Sequence, residues 1–264
     1  MLPSPDSTVV SETFRIVLDL PMEVLVGLSL IVLLAYTVLG IIGFGSSIVA
    51  MPLLVNVIPF PLAISMIAIL DMLSSALIGV KDRSSIAHAE LRLVVPFMLI
   101  GIALGATLLV NAPAKWLMLG LGIFVLGYVA YSALIRIGTE PIGRLWVAPL
   151  SVSGGVFSAL FGTGGPLYAI YLARRLKDKS ILRATMGAVI AVSSFARIVA
   201  FGIAGLYSQA DVFIGAACLV PFSIIGLWCG SRLHSLLPAQ RIIQGLWLLL
   251  AISGTNLIIR SLRL

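Results

Sequence analysis

The sequence predicts an all-α polytopic membrane protein of two four-segment repeats, each with a glycine-broken first segment. Composition, the spacing of apolar runs and an internal match between the halves predict it. Of 264 residues, 60% are hydrophobic and 10% charged, far below the roughly 25% charged residues of soluble domains. Apolar runs of about twenty residues recur along the whole chain, the length a helix needs to cross ~30 Å of hydrocarbon. Helices satisfy their own backbone hydrogen bonds in lipid, so each run reads as helical.

Charged or proline-marked breaks divide the chain into eight apolar segments: 24–58, 62–80, 91–110, 115–135, 146–172, 183–203, 212–230 and 242–259. Residues 1–23 read as an extramembrane stretch, with Asp6, Glu12, Asp19 and Glu23 against Arg15. It lacks the positive start and early apolar core of a targeting peptide. The formal net charge of +7 reads as lysine and arginine retained in cytoplasmic loops, not as a nucleic-acid surface. Cys218 and Cys229 stand eleven residues apart in one segment, about 16 Å along a helix. That exceeds disulfide reach, so both are expected as small buried packing residues. No CxxC or His-rich metal pattern, Walker-type GxxxxGK[ST] or nucleophile–base–orienter set occurs. An enzyme, ATP-driven transport by this chain and a cofactor are therefore not expected.

The repeat is legible at a constant offset. "PFMLIGIALG" (96–105) matches "PFSIIGLWCG" (221–230), and "PAKWLMLG" (113–120) matches "PAQRIIQG" (238–245), both 125 residues apart. Upstream the offset is 119: Gly43 and Gly45 align with Gly162 and Gly164, and Ser74-Ser75 with Ser193-Ser194. The expected organisation is repeat 1 at 24–135, a polar linker at 136–145 and repeat 2 at 146–260.

Charge decides how the interrupted segments insert. Eight simple crossings would place eight basic residues on each side, which is no bias. If each interrupted segment turns at its glycines and leaves by its own side, the count changes. The inner side then holds Lys81, Arg83, Arg92, Arg136, Arg144, Arg174, Arg175, Lys177, Lys179, Arg183, Arg232 and Arg241, twelve in all. Only Arg15, Lys115, Arg260 and Arg263 lie outside. Twelve against four fits the positive-inside rule. Each half then crosses an odd number of times, and the repeats are inverted.

The candidate site follows from the breaks. "GFGSS" (43–47) and "GTGGP" (162–166) sit at equivalent places in the two halves, and paired interruptions of this kind point to a transporter's binding site. Close packing where helices cross is the competing reading. Gly43, Gly45, Gly162, Gly164 and Gly165 would bring backbone N–H groups toward substrate, and Pro166 suits the first turn of the half-helix that follows. Ser46, Ser47, Thr163, Ser74, Ser75, Ser193 and Ser194 would line the same cavity. Asp71 and Arg197 are the two charges inside segments, each costing ~2.5–3.5 kcal/mol at a helix centre. Either they pair between the halves, or Asp71 couples protons and Arg197 meets substrate charge. Hydroxyls, half-helix N-termini and Arg197 together suit a small oxyanion. His88 and His234 read as loop or interface residues, and Trp116, Trp146, Trp228 and Trp247 as interface anchors or packing.

"GFGSSIVAMPLL" in one half and "GVFSALFGTGGPLYAIYL" in the other resemble the TauE/SafE family over nearly the whole chain, 24–259. The first copy departs from the glycine-richer family pattern by carrying Ser46-Ser47. The resemblance implies a bacterial inner-membrane exporter of sulfite, sulfoacetate or related organosulfur anions, driven by a proton or ion gradient. Expected partners are a small anionic substrate and the lipid bilayer, with homo-oligomerisation and a passive anion channel or an importer left open.

Overall fold

The computed structural model describes residues 21–81, 83–134, 142–208, 211–233 and 239–263. The described residues contain helices and no strand. In chain order they form α1 (Met22–Ile42), α2 (Ser46–Leu54), α3 (Phe60–Lys81), α4 (His88–Asn111) and α5 (Ala114–Leu134), then α6 (Val147–Phe161), α7 (Gly165–Arg175), α8 (Lys179–Ile203), α9 (Asp211–Leu233) and α10 (Ala239–Arg263). Most of the N-terminal stretch 1–23 and of the linker 136–145, together with His234 and the side chains of Arg241 and Trp247, lie outside the described residues.

Among the described residues, seven helices are long and apolar enough to cross a membrane: α1, α3, α4, α5, α6 with its 3-10 lead-in, α8 and α9. The eighth expected segment lies within α10, whose first side chains fall outside the description. Several helices run past their apolar segments into polar sequence. Asp178 explains one case: its carboxylate accepts from the Ser180 and Ile181 N–H groups at 2.8 and 3.0 Å, an N-cap that starts α8 four residues before Arg183.

Both expected interruptions occur where glycine permits them. Gly43, Gly45 and Gly162 have φ of 88°, 98° and 71°, the left-handed region that side-chain-bearing residues avoid. The short helix after each break folds back on the one before it. The Tyr168 ring of α7 lies on Gly154 of α6, in the space where a Cβ would stand. Val38 of α1 is correspondingly 3.8 Å from the Cβ position of Gly45.

α1 packs on α9, α4 on α6, α3 on α8 and α5 on α10. The glycines of the two matched decapeptides make the closest crossings. A Cβ on Gly230 would lie 2.9 Å from the Gly40 Cα, and one on Gly101 equally close to the Gly155 Cα. Small residues let backbones approach this closely, which is how helices gain packing energy without a hydrophobic drive. Lipid takes the opposite faces, where Leu30, Leu104, Ile123 and Leu248 are exposed. Trp116, Trp146 and Trp228 are also exposed, and the Arg232 guanidinium sits 5.1 Å over the Trp228 ring. One expectation fails: Cys218 is exposed, at the edge of a groove between α9 and α1, and Cys229 is half-buried.

Gly40→Leu is expected to cost about 2 kcal/mol through overpacking, read as a lower unfolding midpoint in detergent. Gly127→Ala, with nothing within 4 Å of its Cβ position, should not lower that midpoint and should raise it slightly, since alanine is the better helix former by about 1 kcal/mol.

Candidate functional site

The two breaks meet. A Cβ on Gly162 would lie 2.7 Å from Ser47 Oγ and 3.2 Å from Arg197 Nη1, and one on Gly165 would lie 3.1 Å from the Phe44 Cβ. The first turn thus sits in the space that the second leaves by lacking side chains. The short helices α2 and α7 start here with glycine N-caps, Gly45 and Gly164, and neither receives a side-chain cap. Pro166 falls in the first turn of α7, where its missing N–H is no loss.

Asp71 and Arg197 are each 1% exposed and form a buried ion pair, Arg197 Nη2 to Asp71 Oδ2 at 3.0 Å. The pairing alternative of the sequence is therefore realised. Asp71 Oδ1 accepts from Tyr36 Oη at 2.8 Å and Ser46 Oγ at 2.7 Å. Oδ2 accepts from Ser47 Oγ at 2.8 Å in addition to Arg197. Four donors saturate an ionised carboxylate. Arg197 spends further bonds on Ser194 Oγ at 2.8 Å and the Ser158 carbonyl at 3.4 Å, and Ser158 and Ser193 share a 2.7 Å hydroxyl bond.

Beside this network lies a cavity of about 10 Å³, bordered by Gly45, Ser46, Asp71, Thr163, Pro166 and Arg197 among others. That is room for roughly one water. Thr163 Oγ1 is buried there without a hydrogen-bond partner, as is the Arg197 Nε. The site as seen is closed: donors converge on it, and their acceptor is the protein's own carboxylate.

Of the residues singled out by sequence, Gly45, Ser46, Ser47, Gly162, Thr163, Gly164, Gly165, Ser193, Ser194, Arg197 and Asp71 come together around this network. Three do not join it. Gly43 packs on Arg183, whose Cγ is 3.1 Å from its Cβ position and whose Nη2 donates to the Gly40 carbonyl and Ser231 Oγ. Ser75 Oγ donates to the Asp71 main-chain carbonyl, the local bond usual for a helical serine. Ser74 Oγ is buried with no partner and does not border the cavity.

Sequence reasoning missed Tyr36, Ser158 and Tyr168, whose distances along the chain carry no periodic signal. It also missed a second buried cluster. Glu90, 8% exposed in the first turn of α4, accepts from Tyr171 Oη at 2.8 Å and from Arg175 Nη2 at 3.0 Å. These bonds hold the end of α7 against α4, and Glu90 pushes the Arg175 pKa above its usual value by hydrogen bonding and charge. Its sequence neighbourhood, a charged loop, hid it. His88, by contrast, is exposed as expected.

Removing one partner of a buried pair strands the other. Arg197→Ala is expected to lower stability by about 3–5 kcal/mol, and Asp71→Asn combined with Arg197→Gln to recover most of it. Thermal unfolding in detergent reads both, and equal losses for the single and double variants would contradict this.

The family model described as sulfite exporter TauE/SafE matches residues 28–257. A probable inner membrane transporter protein, TsaS of Comamonas testosteroni, is 28% identical over 197 residues, covering 73% of this chain and 81% of that protein. No solved structure matches. Seven membrane-length helices and a family match over most of the sequence agree: the chain is a multi-pass membrane protein of the TauE/SafE family, a family of transporters and not of enzymes.

Proposed function

We propose that this chain is a secondary transporter exporting small sulfur-containing anions, sulfite or organosulfonates, across the bacterial inner membrane. The observation that carries the reading is convergence. Two uncapped half-helix N-termini, the Thr163 hydroxyl and Arg197 border one cavity between paired glycine turns. Helix N-termini and a guanidinium favour an oxyanion, and broken helices facing each other are the usual place for a transporter's substrate. The family description points to sulfite.

In this reading the halves 24–135 and 146–260 are inverted repeats. Packing supports it: exchanging the halves turns the α1–α9 contact into α6–α4 and the α4–α8 contact into α9–α3. The same exchange leaves α3–α8 and α5–α10 paired with themselves. The crossing of Gly230 on Gly40 becomes that of Gly105 on Ala159. The arms α2 and α7 are re-entrant, returning to the sides from which α1 and α6 enter. Single cysteines replacing Ser84 and Lys179 should both be labelled from the cytoplasmic side only, and opposite-side labelling would sink this topology.

Proteoliposomes test the activity. Protein-containing vesicles should release trapped sulfite faster than empty ones, and an excess of unlabelled sulfite on the far side should drive labelled sulfite uphill. A channel gives release without uphill exchange. Thr163→Val should slow exchange by about tenfold, the loss of one hydrogen bond to a charged group, while the protein still elutes as a single folded species. Release no faster than from empty vesicles would refute the proposal.

A further inference from the structure

The site's donors are already satisfied, and by an anion. Tyr36, Ser46, Ser47 and Arg197 together direct four hydrogen bonds at the two Asp71 oxygens. Those donors come from α1, α2 and α8, while the carboxylate comes from α3. The set is therefore an oxyanion site assembled from three helices and filled by a fourth. The neighbouring cavity of about 10 Å³ holds roughly a water, so a sulfonate cannot enter beside the carboxylate. It has to take over donors that Asp71 now holds.

Charge sets the terms of that exchange. The buried pair sums to zero, and a monovalent anion added to it would leave one uncompensated negative charge among membrane helices. Protonation of Asp71 removes that charge and turns the carboxyl from a pure acceptor into a donor. Arg197 then lacks a counter-ion until the anion supplies one. The titratable groups facing Asp71 are Tyr36 of α1 and Arg197 of α8, with Tyr168 of α7 bordering the same cavity. α2 carries no titratable side chain, and among the described residues none of α9 bonds or pairs with Asp71. Asp71 is thus the group placed to take the proton.

We propose that Asp71 is a built-in counter-anion occupying the substrate's own donor set, so that each anion bound is accompanied by one proton taken up on Asp71. The empty site is Asp71 carboxylate with Arg197 guanidinium; the loaded site is Asp71 carboxylic acid with Arg197 and the anion. Both are neutral. Proton and monovalent anion therefore cross together without moving net charge, and an accumulated anion drives its own exit. This rests on the anion-site reading above and adds to it the coupling rule.

Ethanesulfonate, which stays ionised across the neutral range, is the probe. Calorimetric titration of the native protein in buffers of different ionisation enthalpy should show about one proton taken up per anion bound. Affinity should weaken about tenfold per pH unit once Asp71 is ionised in the free protein. Asp71→Asn leaves Arg197 without a counter-ion, so ethanesulfonate should bind this variant with no proton uptake and no pH dependence, and should raise its unfolding midpoint. Binding to the native protein without proton uptake overturns the exchange, as does undiminished uptake in Asp71→Asn. If that variant does not fold, the native proton count decides alone. Should ethanesulfonate and sulfite bind neither protein, the exchange is refuted, and the vesicle release assay separately decides whether the chain transports at all.

Discussion

A carboxylate buried among membrane helices must find donors for both oxygens within the protein, because the surrounding hydrocarbon supplies none. Asp71 finds four, from Tyr36, Ser46, Ser47 and Arg197. That requirement reaches well beyond one side chain. Ser46 and Ser47 open α2, so the turn at Gly43 and Gly45 must bring α2 back toward α3. Arg197 lies on α8, so α8 must pack on α3 with the two charges level. Tyr36 commits the last turns of α1 to the same point. One acceptor thus links both halves of the chain.

Glycine does two separate jobs around that centre. At the breaks it supplies backbone angles that other residues resist, with positive φ at Gly43, Gly45 and Gly162. At the crossings its value is absence of bulk: Gly40 meets Gly230, and Gly101 meets Gly155, with Cα atoms lying where side chains would stand. The first use shapes the site and the second clamps the helices that carry it. Glycine is costly inside a helix. In lipid, close backbone approach returns that cost as packing.

The two ends of the chain contribute different groups to the buried network. The first contributes the carboxylate, Tyr36 and the paired serines, while the second contributes Arg197, Thr163 and the Ser158–Ser193 pair. Their short arms are also held differently. The far end of α7 is fastened to α4 by Glu90 with Tyr171 and Arg175. The far end of α2 meets α10 through the Arg260 guanidinium on the Val55 carbonyl at 3.1 Å and the Asn256 amide on Asn56. One arm is thus fastened through a buried carboxylate, and the other through a guanidinium and an amide set on neutral oxygens.

Composition and local pattern were enough to read membrane helices, their order, the two glycine breaks and the matched decapeptides. These depend on propensity and hydropathy, which are properties of a few neighbouring residues. The same reading brought Asp71, Arg197, Ser46, Ser47 and Thr163 to one place, because a buried charge and a helix break each demand an explanation. It offered the Asp71–Arg197 pair without deciding for it, and could not say that Ser75 is spent on its own helix or that Glu90 sits buried beside Tyr171. It also placed Cys218 inside when that residue faces outward. Partner choice among buried polar groups depends on which faces of distant helices meet, across 35 residues for Tyr36 and Asp71 and 126 for Asp71 and Arg197. By itself the sequence determined most of the residues that meet around Asp71, though not Tyr36. Only the tertiary packing decided that the site's donors already hold an anion.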